Sequence, residues 1–167
     1  MKAIHKLSLC SLIGLSLLFI SSCKKGEKGD PGKDGKVNVT SQTFSTGSWS
    51  SNSSFWYKQL SCPDLTQDNI NSAAVSVYWG TTANNWTALP YTYVSSTNYF
   101  MNFVTTVGNV EIRWYYNGIG IGDTPDQEFG KTVSFKVVII PPGAKKANPD
   151  VDMNNYQEVK EAYNIAD

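Results

Sequence analysis

The sequence predicts a mainly β protein: an antiparallel β-sandwich or jelly-roll-like head with one C-terminal α-helix, preceded by a leader and a glycine-rich tether. Between residues 37 and 143, short stretches of alternating apolar and polar residues recur and are separated by turn-forming Gly, Asn and Ser residues. No helical pattern separates these stretches, so consecutive strands are expected to pair antiparallel. A helical spacing of apolar residues appears only near the end of the chain.

Residues 1–22 have the charge order of a signal peptide. Two lysines with no acidic residue precede about fourteen mostly apolar residues, which is fewer than the roughly 20 that a membrane-spanning helix needs. Ile20-Ser21-Ser22-Cys23 resembles the lipobox of bacterial lipoproteins, which implies cleavage before Cys23 and its lipidation with acyl chains such as palmitate. The alternative is an ordinary secretory signal in which Cys23 is incidental. The lipoprotein interpretation predicts a lipid-anchored protein of the cell envelope, at the outer membrane, facing the periplasm or the surface.

Residues 23–36 form the predicted tether. Gly26, Gly29, Gly32 and Gly35 stand at every third position, with Pro31 between them. This spacing resembles collagen, in which only glycine fits the crowded axis of three polyproline-II strands. Four triplets are too few to offset the entropy of trimerisation alone, so a disordered collagen-like tether is favoured over a triple helix. A homotrimer remains the alternative and would require the head to trimerise as well.

The head is predicted to span residues 37–143 and to contain about seven strands. They are expected at 37–44, 55–60, 73–79, 86–93, 99–106, 110–116 and 133–140. Residues 45–54 read as a loop, 63–72 as a connection with room for one helical turn, and 107–109 as the tight turn of a hairpin. Pro90 interrupts the fourth strand. Trp79, Trp114 and Phe135 are the expected core aromatic residues.

The tail, residues 144–167, is predicted to be a connector followed by a helix. Residues 144–151 carry two lysines and a proline, and Asn155 offers an amide cap. Tyr156, Val159 and Tyr163 then recur at helical spacing. An amphipathic helix over 155–163, packed on the head, is the expected structure.

Composition excludes several functions. His5, the only histidine, lies in the predicted signal peptide, so the remaining chain cannot form a Ser-His-Asp triad, a Cys-His pair or a His-ligated zinc site. Cys62 is then the only thiol besides Cys23 and is interpreted as a small apolar residue at a strand end. From residue 37 onward seven basic residues face eleven acidic ones, a balance of −4, which does not indicate a nucleic-acid surface. No cofactor is indicated.

Two groups of residues are candidate sites. Five aromatic residues in or beside loops could form a platform that stacks on sugar rings: Trp49, Trp56, Trp86, Tyr91 and Tyr93. The alternative is that these rings pack at the ends of the sandwich or cover a subunit interface.

The second group lies in the glycine-rich loop at 115–128. Asp123, Asp126 and Glu128 are a weak candidate for a Ca²⁺ site or for a glycosidase-type carboxylate pair. Their spacing fits no specific calcium-loop pattern, and a plain long hairpin loop is the favoured interpretation.

Both ends of the chain carry a family resemblance. The lipobox, the Gly-x-y spacer, the stretch Phe-Lys-Val-Val-Ile-Ile-Pro at 135–141 and the stretch at 155–165 resemble the collagen-like lipoproteins of Bacteroidota. That resemblance implies an envelope lipoprotein and supplies no activity. The expected function is therefore a membrane-anchored, non-enzymatic structural or adhesive head that binds an envelope protein or a glycan. A carbohydrate-binding lipoprotein is the first alternative, and a carboxylate-based hydrolase is the second.

Overall fold

Nine strands and four short helices form in the parts of the chain that the computed structural model describes, which are residues 38–82, 85–94, 98–118 and 120–166. The strands are β1 (Thr40–Ser45), β2 (Ser50–Ser51), β3 (Trp56–Ser61), β4 (Ala74–Gly80), β5 (Thr87–Ala88), β6 (Tyr91–Val94), β7 (Asn98–Thr106), β8 (Asn109–Tyr116) and β9 (Ser134–Ile140). The helices are α1 (Gln67–Ser72), α2 (Pro125–Phe129), α3 (Pro142–Ala147) and α4 (Tyr156–Tyr163). The predicted signal peptide, Cys23 and the tether lie outside the described residues.

The strands form two antiparallel sheets. The four-stranded sheet has the order β1-β9-β4-β5, and the five-stranded sheet has the order β2-β3-β8-β7-β6. The predicted mainly β, antiparallel fold with a C-terminal helix is confirmed. The predicted hairpin joins β7 to β8, and Gly108 in its turn has a φ of 75°, a left-handed conformation that favours glycine.

One core lies between the two sheets. The five-stranded sheet contributes Val110, Ile112 and Trp114 from alternate positions of β8, all of them fully buried. Phe135 and Val137 on β9 face them from the four-stranded sheet. The three expected core residues Trp79, Trp114 and Phe135 all lie in this cluster, so period-two alternation identified the inward face correctly.

A second core covers the other face of the four-stranded sheet. Tyr78, Val138 and Ile140 point away from the first core and pack against Tyr156 and Val159 of α4. β9 is therefore buried on both faces, which explains its nearly continuous apolar sequence. The C-terminal segment is thus an integral layer of the fold.

The tail differs from its prediction in one element. α4 forms as expected, with the Asn155 side chain accepting a hydrogen bond from the backbone N–H of Gln157. Part of the predicted connector is instead helix α3, which begins at Pro142. Proline is favoured in the first turn of a helix because its missing N–H would have no partner there, and alanine and lysine then extend the helix.

The predicted strand over 86–93 is two strands in different sheets. β5 pairs with β4, whereas β6 pairs with β7 on the opposite side of the core. Pro90 lies between them after a cis peptide bond from Leu89, and proline has no N–H to continue a ladder. The predicted loop at 45–54 contains the short strand β2, and the connection at 63–72 contains α1, capped by Thr66. None of the helices in the described ranges is long and apolar enough to cross a membrane.

Candidate binding surface

The outer face of the five-stranded sheet is the principal candidate for a functional surface. Residues opposite each other in an antiparallel pair share a face, so the register defines which side chains point outward. We call this surface the open face; its residues are Phe55, Tyr57, Gln59, Thr92, Val94, Phe100, Asn102, Val104, Glu111, Arg113 and Tyr115. The central strand β8 contributes Glu111, Arg113 and Tyr115, which therefore lie in the middle of the open face.

A row of aromatic rings crosses the open face perpendicular to the strands. The Phe55 and Tyr115 ring centroids are 4.8 Å apart, and those of Tyr115 and Phe100 are 6.1 Å apart. Tyr57 lies beside the row, with its ring centroid 6.3 Å from that of Phe55. Cross-strand aromatic pairs of this kind stabilise a sheet, and they also leave ring surface available for contact.

Polar side chains beside the row are fixed by one another. Glu111 accepts hydrogen bonds from the Gln59 amide and from Arg113 Nε, the latter at 2.7 Å. This hydrogen bond raises the pKa of Arg113 above its ordinary value, so the guanidinium stays charged. The guanidinium carbon also lies 5.3 Å from the Phe55 ring centroid. The network positions planar polar groups before any ligand arrives.

Apolar side chains on the same face reach solvent. Val94 is 72 % exposed, Phe100 39 % and Val104 36 %. They are three of the four large apolar side chains found exposed in the described ranges, and the fourth, Val107, lies in the β7–β8 turn. Exposed apolar side chains gathered on one face are a mark of an interaction surface, whereas scattered ones are ordinary.

The five aromatic residues of the predicted sugar platform do not share a surface. Trp49 Nε1 donates a hydrogen bond to Asp126 at 2.6 Å, and Trp56 Nε1 donates one to the Gly122 carbonyl at 3.0 Å. Both indoles are half-buried against the first core. Trp56 points inward because it pairs with the core residue Trp114, and both indole N–H groups have acceptors at their inward positions.

The other three predicted platform residues are also engaged in packing. The Tyr91 ring lies 4.9 Å from the Trp79 ring, and the Tyr93 ring lies 5.0 Å from the Phe129 ring. Trp86 packs in the second core, on the opposite side of the four-stranded sheet. Trp86 is therefore separated from the other four rings, and all five pack against one of the two cores. This is the packing alternative that the sequence left open.

The acidic loop residues also have separate roles. Asp126 accepts hydrogen bonds from the backbone N–H of Val133 at 2.7 Å and from Trp49 Nε1, while the Thr46 hydroxyl, 3.2 Å from Asp126, donates to the Val133 carbonyl at 2.6 Å. Asp123 is exposed, and Glu128 lies in the short helix α2. The described part of the chain holds no group of three or more His, Cys, Asp or Glu side chains suited to a metal ion, so the weak calcium candidate is not assembled.

A buried cation, which the sequence pattern did not predict, lies in the second core. Lys136 is only 2 % exposed, and its Nζ donates a hydrogen bond to the Tyr156 hydroxyl at 2.7 Å. Nζ also lies 5.0 Å from the Trp86 ring centroid and 4.8 Å from that of Tyr156. Tyr78 beside it donates a hydrogen bond to the Met153 carbonyl, and burial raises the pKa of Tyr78 to about 12. This polar cluster joins β9 to the C-terminal segment.

Cys62 matches its interpretation as a small apolar residue. It is buried in the first core at the end of β3. Burial, with a smaller effect from the Asp64 carboxylate, raises the pKa of Cys62 to about 11. The thiol is therefore protonated at neutral pH and is a poor nucleophile.

The open face could have been suspected from its sequence, since Tyr57, Tyr115 and Phe100 occupy positions on predicted strands that alternate with core residues. Their juxtaposition depends on strand order and register, which alternation does not reveal. In comparisons with known proteins, no family model, no curated protein and no solved structure matches the chain. The function is therefore inferred from the geometry of the open face.

Proposed function

We propose that this chain is a lipid-anchored envelope protein whose β-sandwich head is a non-enzymatic structural or adhesive binding module, with the open face as its binding surface. One observation carries the proposal: Val94, Phe100 and Val104 are exposed together on a face that also holds a row of aromatic rings. Leaving such a surface in water costs free energy in proportion to its apolar area, and a partner that covers it recovers that free energy.

The composition of the open face supports this role. Aromatic residues and arginine are enriched in the centres of protein interfaces, while lysine is depleted there. The open face holds four aromatic rings and Arg113 and has no lysine among its residues. Because Glu111 already holds Arg113 in place, little side-chain entropy is lost when a partner binds.

Attachment to the envelope rests on the N-terminal sequence. The charged start, the short apolar run and the lipobox-like Ile20-Ser21-Ser22-Cys23 support export and lipidation at Cys23. Several acyl chains, at ~0.8 kcal/mol per buried CH₂, hold a protein stably at a membrane. The Gly-x-y tether would then keep the head at a distance from the outer membrane.

Carbohydrate binding on the same face is the second candidate. The row formed by Phe55, Tyr115 and Phe100 favours it, because successive rings can stack on the apolar faces of successive sugars. Gln59 and Arg113 beside the row offer planar polar groups for hydroxyls. This site differs from the platform that the sequence predicted.

Cosedimentation with isolated envelope fragments tests the proposal. The unit Lys36–Asp167, which has its own core, is mixed with fragments of the cell envelope and centrifuged. Phe100→Lys and Tyr115→Ala are expected to reduce the bound fraction, while Gln157→Lys on the exposed side of α4 leaves it unchanged. Equal binding by all four proteins would refute a role for the open face. Competition by soluble envelope polysaccharide would favour the carbohydrate candidate.

A further inference from the structure

We infer that the partner of the open face is a second copy of this chain, packed face to face about a two-fold axis. The inference rests on the proposed function, since it takes the open face to be a binding surface and names its occupant. It makes the head a structural dimer. Three features of the described residues carry it: the extent of the face, the distribution of its charges and the difference between the two sheets.

The extent of the open face suits a dimer contact. Its four longer strands, β3, β8, β7 and β6, have 6, 8, 9 and 4 residues, and at about 3.4 Å per residue and about 4.8 Å between strands they give roughly 440 Å² of projected area. Side-chain relief makes the accessible area larger than the projected area. A standard interface buries about 800 Å² per partner. One copy of the face is therefore large enough for a small, weak dimer interface.

The charges of the open face are self-complementary. Among the open-face residues, Glu111 and Arg113 carry opposite charges and lie two positions apart on the central strand β8. A two-fold axis in the plane of the interface, crossing β8 at the level of Ile112, brings each Glu111 opposite the partner's Arg113. The same patch then serves both subunits, as an isologous contact requires.

The two sheets differ in whether their outer faces are covered by other parts of the chain. The four-stranded sheet is covered by the chain's own C-terminal segment, through Tyr156, Val159 and Ile165. In the residues that the structure describes, the buried clusters lie between the sheets and under this segment, and neither includes the open face. A second copy would supply the missing layer as an aligned sheet-on-sheet packing at about 10 Å.

The predicted membrane anchor makes a weak interface sufficient. From residue 37 onward the chain carries a net charge of −4, from seven basic and eleven acidic residues, which opposes close approach of two copies. Copies tethered to one membrane by short linkers would meet at a high effective concentration, so the contact need not be strong in free solution. Moderate salt, which screens the net repulsion, is expected to favour the dimer.

Sedimentation velocity of the unit Lys36–Asp167 tests the inference, from micromolar to millimolar concentration. The wild type is expected to form a dimer whose fraction rises with concentration. Phe100→Lys and Val104→Lys are expected to raise the dissociation constant about tenfold or more, because each places a charge in an apolar contact. Gln157→Lys, which adds the same charge on α4, should leave it unchanged, and thermal unfolding verifies that each variant is folded.

A charge-exchange pair tests the two-fold arrangement itself. Glu111→Arg leaves two basic residues on β8, and Arg113→Glu leaves two acidic residues there. Two copies of either variant would bring like charges opposite each other, so each variant alone should remain monomeric. An equimolar mixture should recover the dimer, because every basic residue then faces an acidic one. A purely internal role of the Glu111–Arg113 pair would not produce recovery on mixing.

Three results would overturn the inference. They are a monomer at every concentration, a dimer that tolerates both lysine substitutions on the open face, and a trimer. Envelope cosedimentation of the same variants separates this inference from the proposed function. A monomer that still binds the envelope through the open face would refute self-association and leave the proposed function standing.

Discussion

The buried ammonium of Lys136 offers the sharpest test of how the C-terminal segment is held. Its Nζ donates to the Tyr156 hydroxyl at 2.7 Å, and among the described residues no carboxylate forms an ion pair with it. Tyr156→Phe retains the ring beneath the ammonium and removes only the acceptor. A hydrogen bond to a charged group contributes about 1.5–3 kcal/mol, so this substitution is expected to lower the free energy of unfolding by that amount.

A substitution of the hydrogen-bond donor, Lys136, completes a double-mutant cycle. Lys136→Met removes the cation, its contact with the Trp86 ring and the hydrogen bond, and leaves a buried tyrosine hydroxyl without its donor. We expect a loss of about 2–4 kcal/mol. The double variant should cost no more than the larger single loss, because an apolar pair needs no partner. The two single effects are therefore expected to be strongly non-additive.

Urea unfolding followed by tryptophan fluorescence measures each free energy of unfolding, provided that the m-value stays constant. Tyr163→Phe is the matched control, since the Tyr163 hydroxyl is buried and has no hydrogen-bond partner among the described residues. Its removal is expected to leave stability unchanged or to raise it by up to about 1 kcal/mol. The reasoning would be refuted if Tyr156→Phe and Tyr163→Phe had the same effect, or if the double variant lost the sum of the two single effects.

Three further predictions concern the effect of pH, the acidic residues in and beside helix α2, and the proposed lipid anchor. Folding raises the pKa of Tyr78 from 10.0 to about 12 and that of Cys62 from 9.0 to about 11, so both neutral forms are favoured. Stability should be full below pH 9 and fall as the pH rises toward 12, and Tyr78→Phe should reduce the loss above pH 10 in denaturant titrations. Asp126→Asn weakens a carboxylate that binds two N–H donors and should cost about 1.5–3 kcal/mol. Exposed Asp123→Asn, in contrast, should change stability by less than about 0.5 kcal/mol in thermal unfolding. Cys23→Ser should abolish incorporation of labelled palmitate and release the protein from the membrane fraction; continued membrane attachment would contradict lipidation at Cys23.

Local sequence patterns predicted the individual strands and helices of this fold better than they predicted which strands pair with each other. Alternation identified the inward face of β8, and the amide at Asn155 correctly marked the start of α4. Sequence order did not reveal that β9 lies between β1 and β4, because a ladder between residues 40 and 139 leaves no local signal. For the same reason the split of 86–93 into two sheets was not predicted.

The same contrast between local patterns and long-range pairing applies to the residues of the candidate sites. Trp56 and Tyr91 were candidates for a sugar platform because they lie in or beside loops, yet both occupy inward positions of the sheet register. Phe55, Tyr115 and Phe100 come together only once β3, β8 and β7 are adjacent. Lys136 alternates with Phe135 along β9 and therefore faces away from the first core, but its burial depends on α4, which packs there through long-range contacts.

The position of β9 also determines when the molecule can fold during synthesis. β1, made first, has β9 as its ladder partner, and β9 in turn needs the C-terminal segment to cover its second face. A chain interrupted before residue 156 would expose Val138 and Ile140 to water and leave Lys136 without its hydroxyl acceptor. The four-stranded sheet can therefore form completely only after the residues of α4 have left the ribosome. A chain interrupted before α4 would remain open to proteases, so this fold protects only chains in which α4 has been made.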